Sequence, residues 1–127
     1  MAGEKVLLVE DQALNRELAT DLLEVAGFEV CQADSGERAI QVARAESPRI
    51  ILMDISLPGM DGLAATRILR ADPRFKTVPI VALTAHAMKG DEDRAKTAGC
   101  DGYITKPIET ATFARTVSTL LERGRSA

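Results

Sequence analysis

Residues of the kinds that bind metal ions or handle phosphate stand directly behind short apolar runs. Glu10 and Asp11 follow Val6 to Val9, Asp54 follows Ile50 to Met53, Thr84 follows the run ending at Leu83, and Lys106 comes just after Tyr103 and Ile104. If those runs are parallel strands of one sheet, their carboxyl ends share an edge. Ligands gather at such an edge because the loops diverge there and the following helices start there. One edge then collects three carboxylates, a hydroxyl and an ammonium group. Two carboxylates ~4 Å apart repel by roughly 4 kcal/mol at an effective dielectric near ~20, so three cannot stand together ionised without a cation. Lys106 offsets one charge. A divalent ion together with Lys106 balances all three, and oxygen-only ligands suit Mg²⁺, with Mn²⁺ as a substitute. A carboxylate beside such an ion can act as the nucleophile in phosphoryl transfer, and Asp54 is the candidate. Glu10 and Asp11, adjacent on one loop, suit metal holding, and Thr84 can donate a hydrogen bond to a phosphoryl oxygen.

The elements that must position these groups are legible from periodicity. Five runs of strand length recur: Val6 to Val9, Phe28 to Cys31, Ile50 to Met53, Val78 to Leu83, and Tyr103 to Ile104. Between them apolar residues recur at helical spacing, as in Leu14, Leu18, Leu22 and Val25, or Ala65, Ile68 and Leu69. The last such stretch holds Phe113, Val117, Leu120 and Leu121. Strands alternating with amphipathic helices predict a (βα)₅ α/β fold with a parallel sheet covered on both faces, and the unbroken Ile50-Ile51-Leu52-Met53 fits burial from both sides. Gly27, Gly99 and Ser47-Pro48 mark helix stops, while Asp61 and Glu109 mark helix starts. The stretch from Met88 to Ala98 offers little large apolar surface and contains Gly90, so the fourth helix is expected to be the loosest. The whole of 1–127 reads as a single domain, with a core over about 4–122 and a short tail ending Arg123-Gly124-Arg125-Ser126-Ala127.

Composition narrows the class of partner. With 46% hydrophobic and 28% charged residues the chain is neither disordered nor membrane-embedded, and no apolar run approaches the ~18 residues of a membrane span. No signal-peptide pattern opens the sequence, so the expected compartment is the cytoplasm. A net charge of −3 gives no electrostatic basis for direct nucleic-acid binding. Partners are expected to be proteins, and a monomer is expected. Cys31 and Cys100 lie far apart without a C-x-x-C pair, so two reduced, mostly buried thiols are expected rather than a redox or zinc site.

The motifs taken together carry a resemblance. V-E-D follows the first run, M-D-I-S-L-P-G-M-D-G surrounds the end of the third, A-L-T-A follows the fourth, and Y-I-T-K-P spans the fifth. In this order and spacing they are similar to the receiver domain of two-component response regulators, over nearly the whole chain. The resemblance implies the flavodoxin-like strand order 2-1-3-4-5. It implies a phosphoacceptor Asp54, with Mg²⁺ held by Glu10 and Asp11, directly or through water, by Asp54 itself, and by the Ser56 backbone carbonyl. It assigns Thr84 and Lys106 to the phosphoryl group and makes Thr84 and Tyr103 the switch pair that reshapes the face formed by the fourth helix, fifth strand and fifth helix. The implied donor is a histidine kinase or histidine phosphotransfer protein, and the implied output is binding of a downstream target protein. The chain would then be a switch that assists its own phosphorylation and dephosphorylation, not a turnover enzyme. In the family the bond before the equivalent of Pro107 is usually cis. The acidic pair is Glu-Asp where many receivers have Asp-Asp; this pair, with Asn15-Arg16, resembles receivers of hybrid histidine kinases and DivK-like single-domain regulators.

Plainer readings exist for each residue alone. Glu10 and Asp11 could be helix caps, Thr84 a strand-end threonine, Lys106 a surface lysine, and Tyr103 a ring packed on the sheet with its hydroxyl in water. Asp54 directly behind an apolar strand would be costly to leave unpaired, and it favours the joint reading. Pro58 to Gly62 reads as a turn leading into a helix, and His86 as an exposed residue at a helix start. A haloacid-dehalogenase phosphatase would need a second acid at Ser56 and a cap domain. A flavin mononucleotide binder would not place Glu10 and Asp11 against a phosphate. A docking-only receiver would not need every chemical position filled.

Overall fold

The computed structural model describes residues 3–55, 61–84 and 89–124. Its elements run β1 (Lys5–Val9), α1 (Ala13–Val25), β2 (Glu29–Ala33), α2 (Gly36–Glu46), β3 (Ile50–Asp54), α3 (Gly62–Ala71), a single 3₁₀ turn (Pro73–Phe75), β4 (Ile80–Thr84), α4 (Lys89–Ala98), β5 (Gly102–Thr105) and α5 (Phe113–Arg123). All five strands are parallel, in the order β2-β1-β3-β4-β5, as expected. The chain therefore steps outward from β1 in one direction, then reverses and builds β3, β4 and β5 on the other side. Among the described residues no helix is long and apolar enough to cross a membrane.

Strand alternation divides the core in two, because successive side chains point to opposite faces. Val6, Leu8, Ile50, Leu52, Val81 and Leu83 join Ala19 and Leu23 of α1 and Phe113 and Val117 of α5. Leu7, Val9, Ile51, Met53, Ile80 and Ala82 join residues of α2, α3 and α4. β3 and β4 are buried at every position, which is why their sequences run apolar without alternation up to the last residue, Asp54 in one and Thr84 in the other.

Local chemistry fixes several boundaries. The Ser35 hydroxyl caps α2 by accepting from the Arg38 amide at 3.2 Å, and Asp61 caps α3 by accepting from the Ala64 amide at 2.8 Å. α1 runs out into Gly27 at φ +100°, α4 ends before Gly99 at φ +113°, and α2 is closed by Ser47 in the left-handed region at φ 52°. The Lys106–Pro107 bond is cis.

Two expectations are corrected. The stripe Leu14, Leu18, Leu22, Val25 forms the inner face of α1 only in part: Leu22 packs against the core, but Leu14 is 81% and Val25 89% exposed, and the buried residues are Ala19 and Leu23. Two helical stripes of similar apolarity compete in this segment. The sheet selects the one that carries Ala19 and Leu23. Glu109 does not open α5 either. Its carbonyl accepts from the Thr112 amide at 3.2 Å and the Phe113 amide at 2.9 Å, closing a turn, and the helix proper begins where Phe113 enters the core.

The amino ends of the strands are tied by Arg70 at the end of α3. Its guanidinium donates to the carbonyls of Gly99 (2.8 Å), Phe75 (2.7 Å) and Val78 (2.7 Å) and pairs with Asp101. Asp101 also accepts from the Ile80 amide at 2.9 Å. The α3–β4 and α4–β5 connections thus meet on one side chain at the edge of the sheet opposite the acidic residues.

Candidate functional site

Glu10 extends from the end of β1 and is held on its main chain from both sides. Its amide donates to the Ala33 carbonyl at 3.0 Å, and its carbonyl accepts from Arg16 Nη1 at 2.8 Å. Its carboxylate turns back over the sheet edge, where Oε2 accepts from the Gln12 amide at 3.2 Å. Asp54 is the last residue of β3, and the next amide, that of Ile55, donates to the Leu83 carbonyl at 3.1 Å, so the chain keeps its strand path through the acid. Gly62, the first residue of α3, lies against the Asp54 carbonyl so closely that a side chain there would overlap it.

Lys106 is placed by β4. Thr84 and Thr105 are register partners, and the Lys106 amide donates to the Thr84 carbonyl at 2.7 Å. From there the ammonium reaches inward to Asp54 Oδ2 at 2.9 Å and Glu10 Oε1 at 2.5 Å. Glu10, Asp54 and Thr84 are all buried, at 1%, 3% and 4% exposure, and Asp11 is exposed. Carboxylate oxygens of Glu10, Asp11 and Asp54 lie within 4.8 Å of one another. The sheet edge therefore brings together Glu10, Asp11, Asp54, Thr84 and Lys106. Ser56 and His86 lie outside the described residues. Tyr103, on β5, is 40% exposed and alternates with Ile104, which packs on the opposite face of the sheet.

The electrostatics follow from burial and proximity. Burial raises the Glu10 carboxyl above the ordinary carboxylate range; the Lys106 ammonium pulls it down, nearby Asp54 pushes it up, and the net direction is upward. Burial works against the charge on Lys106, but Glu10 and Asp54 outweigh it, so the amine is held above its usual value and stays charged.

These residues fit a hard divalent cation. Three carboxylates against one ammonium leave an excess of two negative charges, and every donor is oxygen. Glu10 Oε1 is buried against the Lys106 ammonium at 2.5 Å, and the same ammonium also serves Asp54. A divalent ion at this edge would balance the carboxylate charge that one shared ammonium leaves uncompensated.

Two contributors were not singled out by the sequence. Gly62 sits in a turn sequence, and its contact with the Asp54 backbone has no signal there beyond following Asp61. Arg16 carries only a family likeness in the sequence, and its bond to Glu10 depends on α1 folding back beside the loop. Both thiols are free: Cys100 is buried as expected, and Cys31 is half-buried. Burial pushes each up to about 11.

Comparison with known proteins bears on this arrangement. A family model described as the response regulator receiver domain matches residues 6–118. The polar-differentiation response regulator DivK of Brucella ovis is 43% identical over 118 residues, covering 93% of this chain and 96% of the relative. The DivK of Brucella anthropi is 42% identical over the same length. Among solved structures, the receiver domain of a sensor histidine kinase from Pseudomonas aeruginosa, with a magnesium ion coordinated in its active site cleft, superposes with a TM-score of 0.87. It shares 36% identity, and the match covers 95% of this chain and 99% of that one. The chemotaxis protein CheY4 of Vibrio cholerae superposes with a TM-score of 0.88 at 29% identity, over 93% of this chain and 98% of that one. The fold, the acidic edge and these matches together show that the chain belongs to the response regulator receiver domain family of two-component signalling systems.

Proposed function

We propose that Asp54 accepts a phosphoryl group from a phosphohistidine of a histidine kinase or histidine phosphotransfer protein, and that this reshapes the surface around α4, β5 and α5 for a downstream target protein. The observation that carries the reading is the buried Asp54 carboxylate held 2.9 Å from the Lys106 ammonium with Glu10 and Asp11 at its side.

An Asp54 carboxylate oxygen attacks phosphorus. The new bond joins oxygen to phosphorus and the bond to the donor imidazole nitrogen breaks, leaving the electron pair on the imidazole. Lys106 neutralises charge on the transferring oxygens and Thr84 donates a hydrogen bond to one of them. Glu10, Asp11 and Asp54 would hold Mg²⁺, or Mn²⁺ in its place, and the Ser56 carbonyl belongs to the proposed ligand set. The bound ion would supply charge neutralisation and orientation at the phosphoryl oxygens. The same groups serve hydrolysis, in which water takes the phosphoryl group from Asp54, so the chain assists its own dephosphorylation without turning over an external substrate. Thr84 moving toward the phosphoryl group and Tyr103 reorienting beside it form the proposed switch. The half-exposed position of Tyr103 supports this, since the ring has room to move. A cytoplasmic monomer of one receiver domain is the proposed working form.

The test is incubation with acetyl phosphate and Mg²⁺ followed by intact mass measurement, with Asp54→Asn and chelator-treated samples alongside. One phosphoryl adduct, labile to base and hydroxylamine and absent from both controls, is expected. Failure with a histidine-phosphorylated donor as well as with acetyl phosphate would overturn the reading.

A further inference from the structure

Asp11 is the one carboxylate of the acidic edge that nothing packs into place. It is exposed, and among the described residues its side chain has no hydrogen bond or ion pair. Its direction is therefore set by its backbone, and that backbone is held next door. The Glu10 amide bonds the Ala33 carbonyl at 3.0 Å, and the Glu10 carbonyl accepts from Arg16 Nη1 at 2.8 Å. Because a peptide group is planar and trans, fixing the Glu10 carbonyl also fixes the Asp11 amide on the far side of the same plane.

Arg16 has no evident reason to be here on charge alone. A guanidinium bonded to the Glu10 carbonyl, next to the acidic edge, competes with any cation that approaches that edge. Its guanidinium reaches from α1 to a loop carbonyl, and no Arg16 ion pair is present among the described residues. Resting on the metal reading above, we infer that Arg16 is a positioning residue for the divalent ion, holding the Glu10–Asp11 peptide so that Asp11 faces the other two carboxylates.

Charge and position predict opposite signs. Removing a positive charge should tighten cation binding, whereas releasing the Glu10 carbonyl should weaken it; losing an outer-shell partner typically costs tenfold or more in metal affinity. Mn²⁺ binding, followed by the electron paramagnetic resonance signal of the free ion, is compared for the wild-type chain and for Arg16→Met and Arg16→Lys. Methionine keeps the apolar stem but offers no donor, and lysine can still donate to the carbonyl. The expected result is roughly tenfold weaker Mn²⁺ binding for Arg16→Met at an unchanged thermal midpoint, with part of the loss recovered in Arg16→Lys. Equal or tighter binding in Arg16→Met overturns the inference while leaving the metal site standing. No Mn²⁺ binding by the wild-type chain overturns the metal reading and the inference together. Should Arg16→Met not fold, Arg16→Lys decides: affinity between the wild-type value and a tenfold loss supports positioning, and affinity above wild type overturns it.

Discussion

Gly62 meets the Asp54 carbonyl with no room for a side chain, so the start of α3 and the end of β3 are set against each other backbone to backbone. This contact fixes where the proposed acceptor stands relative to the helix capped by Asp61. Its consequence is an unusually intolerant glycine. Gly62→Ala would force the Asp54 and Ile55 main chain aside, at a cost of about 2–3 kcal/mol. Denaturant titration should show that loss, and phosphorylation of the folded fraction should slow because Asp54 moves relative to Lys106. A Gly62→Ala protein as stable as wild type would mean that the contact relaxes freely.

The edge of three carboxylates should weaken the metal-free fold. Glu10 has its carboxyl raised by burial, so the folded state binds its proton more tightly than the unfolded state does. The sign then follows: its contribution to stability is greatest below the unfolded value and is lost as pH rises through the raised folded one. Glu10→Gln removes the ionisation and keeps the shape. At pH 7 without metal it should stabilise the protein by about 1 kcal/mol, with the advantage shrinking as pH falls through the raised Glu10 value and gone below the ordinary carboxylate range. Thermal midpoints across pH 4 to 8 check this. The same substitution should weaken Mg²⁺ or Mn²⁺ binding, so stability and metal affinity move in opposite directions.

How far the sequence led can be judged from particular residues. β3 was plain because Ile50 to Met53 is buried from both faces, and the (βα)₅ order followed from the alternation of strand-length runs with helical spacing. Asp54, Glu10, Asp11, Thr84 and Lys106 were legible as an edge because each follows a strand, so topology alone brings them together. The inner face of α1 was not, since Leu14 and Val25 satisfy the same period as Ala19 and Leu23 and only contact with the sheet separates the two. Nor were the ties of Arg70, whose acceptors are main-chain carbonyls of residues 75, 78 and 99 that carry no side-chain signature. Gly62 belongs to the same class, because its reason is a neighbour distant in the chain.

Lys106 is the group on which proposed chemistry and charge balance both depend. Lys106→Met should leave the protein folded, since the side chain it removes sits at the rim of the core. Phosphorylation of Asp54 by acetyl phosphate should fall roughly a hundredfold, as for loss of one preorganised donor at a reacting oxyanion. The Glu10 carboxyl should rise further once the ammonium that pulls it down is gone. Heteronuclear NMR titration of the glutamate side chains reads that shift directly. An unchanged phosphorylation rate would remove Lys106 from the mechanism.

Arg70 predicts a separation between stability and chemistry. Arg70→Met leaves three carbonyls and Asp101 short of a donor at the amino edge of the sheet, on the side away from Asp54. Each buried group left unsatisfied costs about 1–3 kcal/mol, partly relieved where water can enter, so a total loss of about 2–4 kcal/mol is expected. The rate of phosphorylation at saturating Mg²⁺ should change less than twofold while the protein is folded. A large fall in rate without loss of stability would show that the amino edge is coupled to the acidic one.

The last prediction concerns α4. Among its described side chains only Ala95 and Ala98 are buried, whereas α5 sets Phe113 and Val117 in the core and packs Leu120 and Leu121 beside them. Burying a methyl group gives far less than burying a ring or a branched chain at ~25 cal/mol per Å² of apolar surface, so α4 should open locally at lower free energy. Amide hydrogen exchange should be faster in Asp93 to Ala98 than in Thr116 to Leu121, and should slow in α4 when Asp54 carries a phosphoryl group if that helix belongs to the switching surface. Equal protection in the two helices would mean that the small side chains of α4 pack more effectively than their area suggests. The proposed switch would then have to rest on Tyr103 and β5 alone.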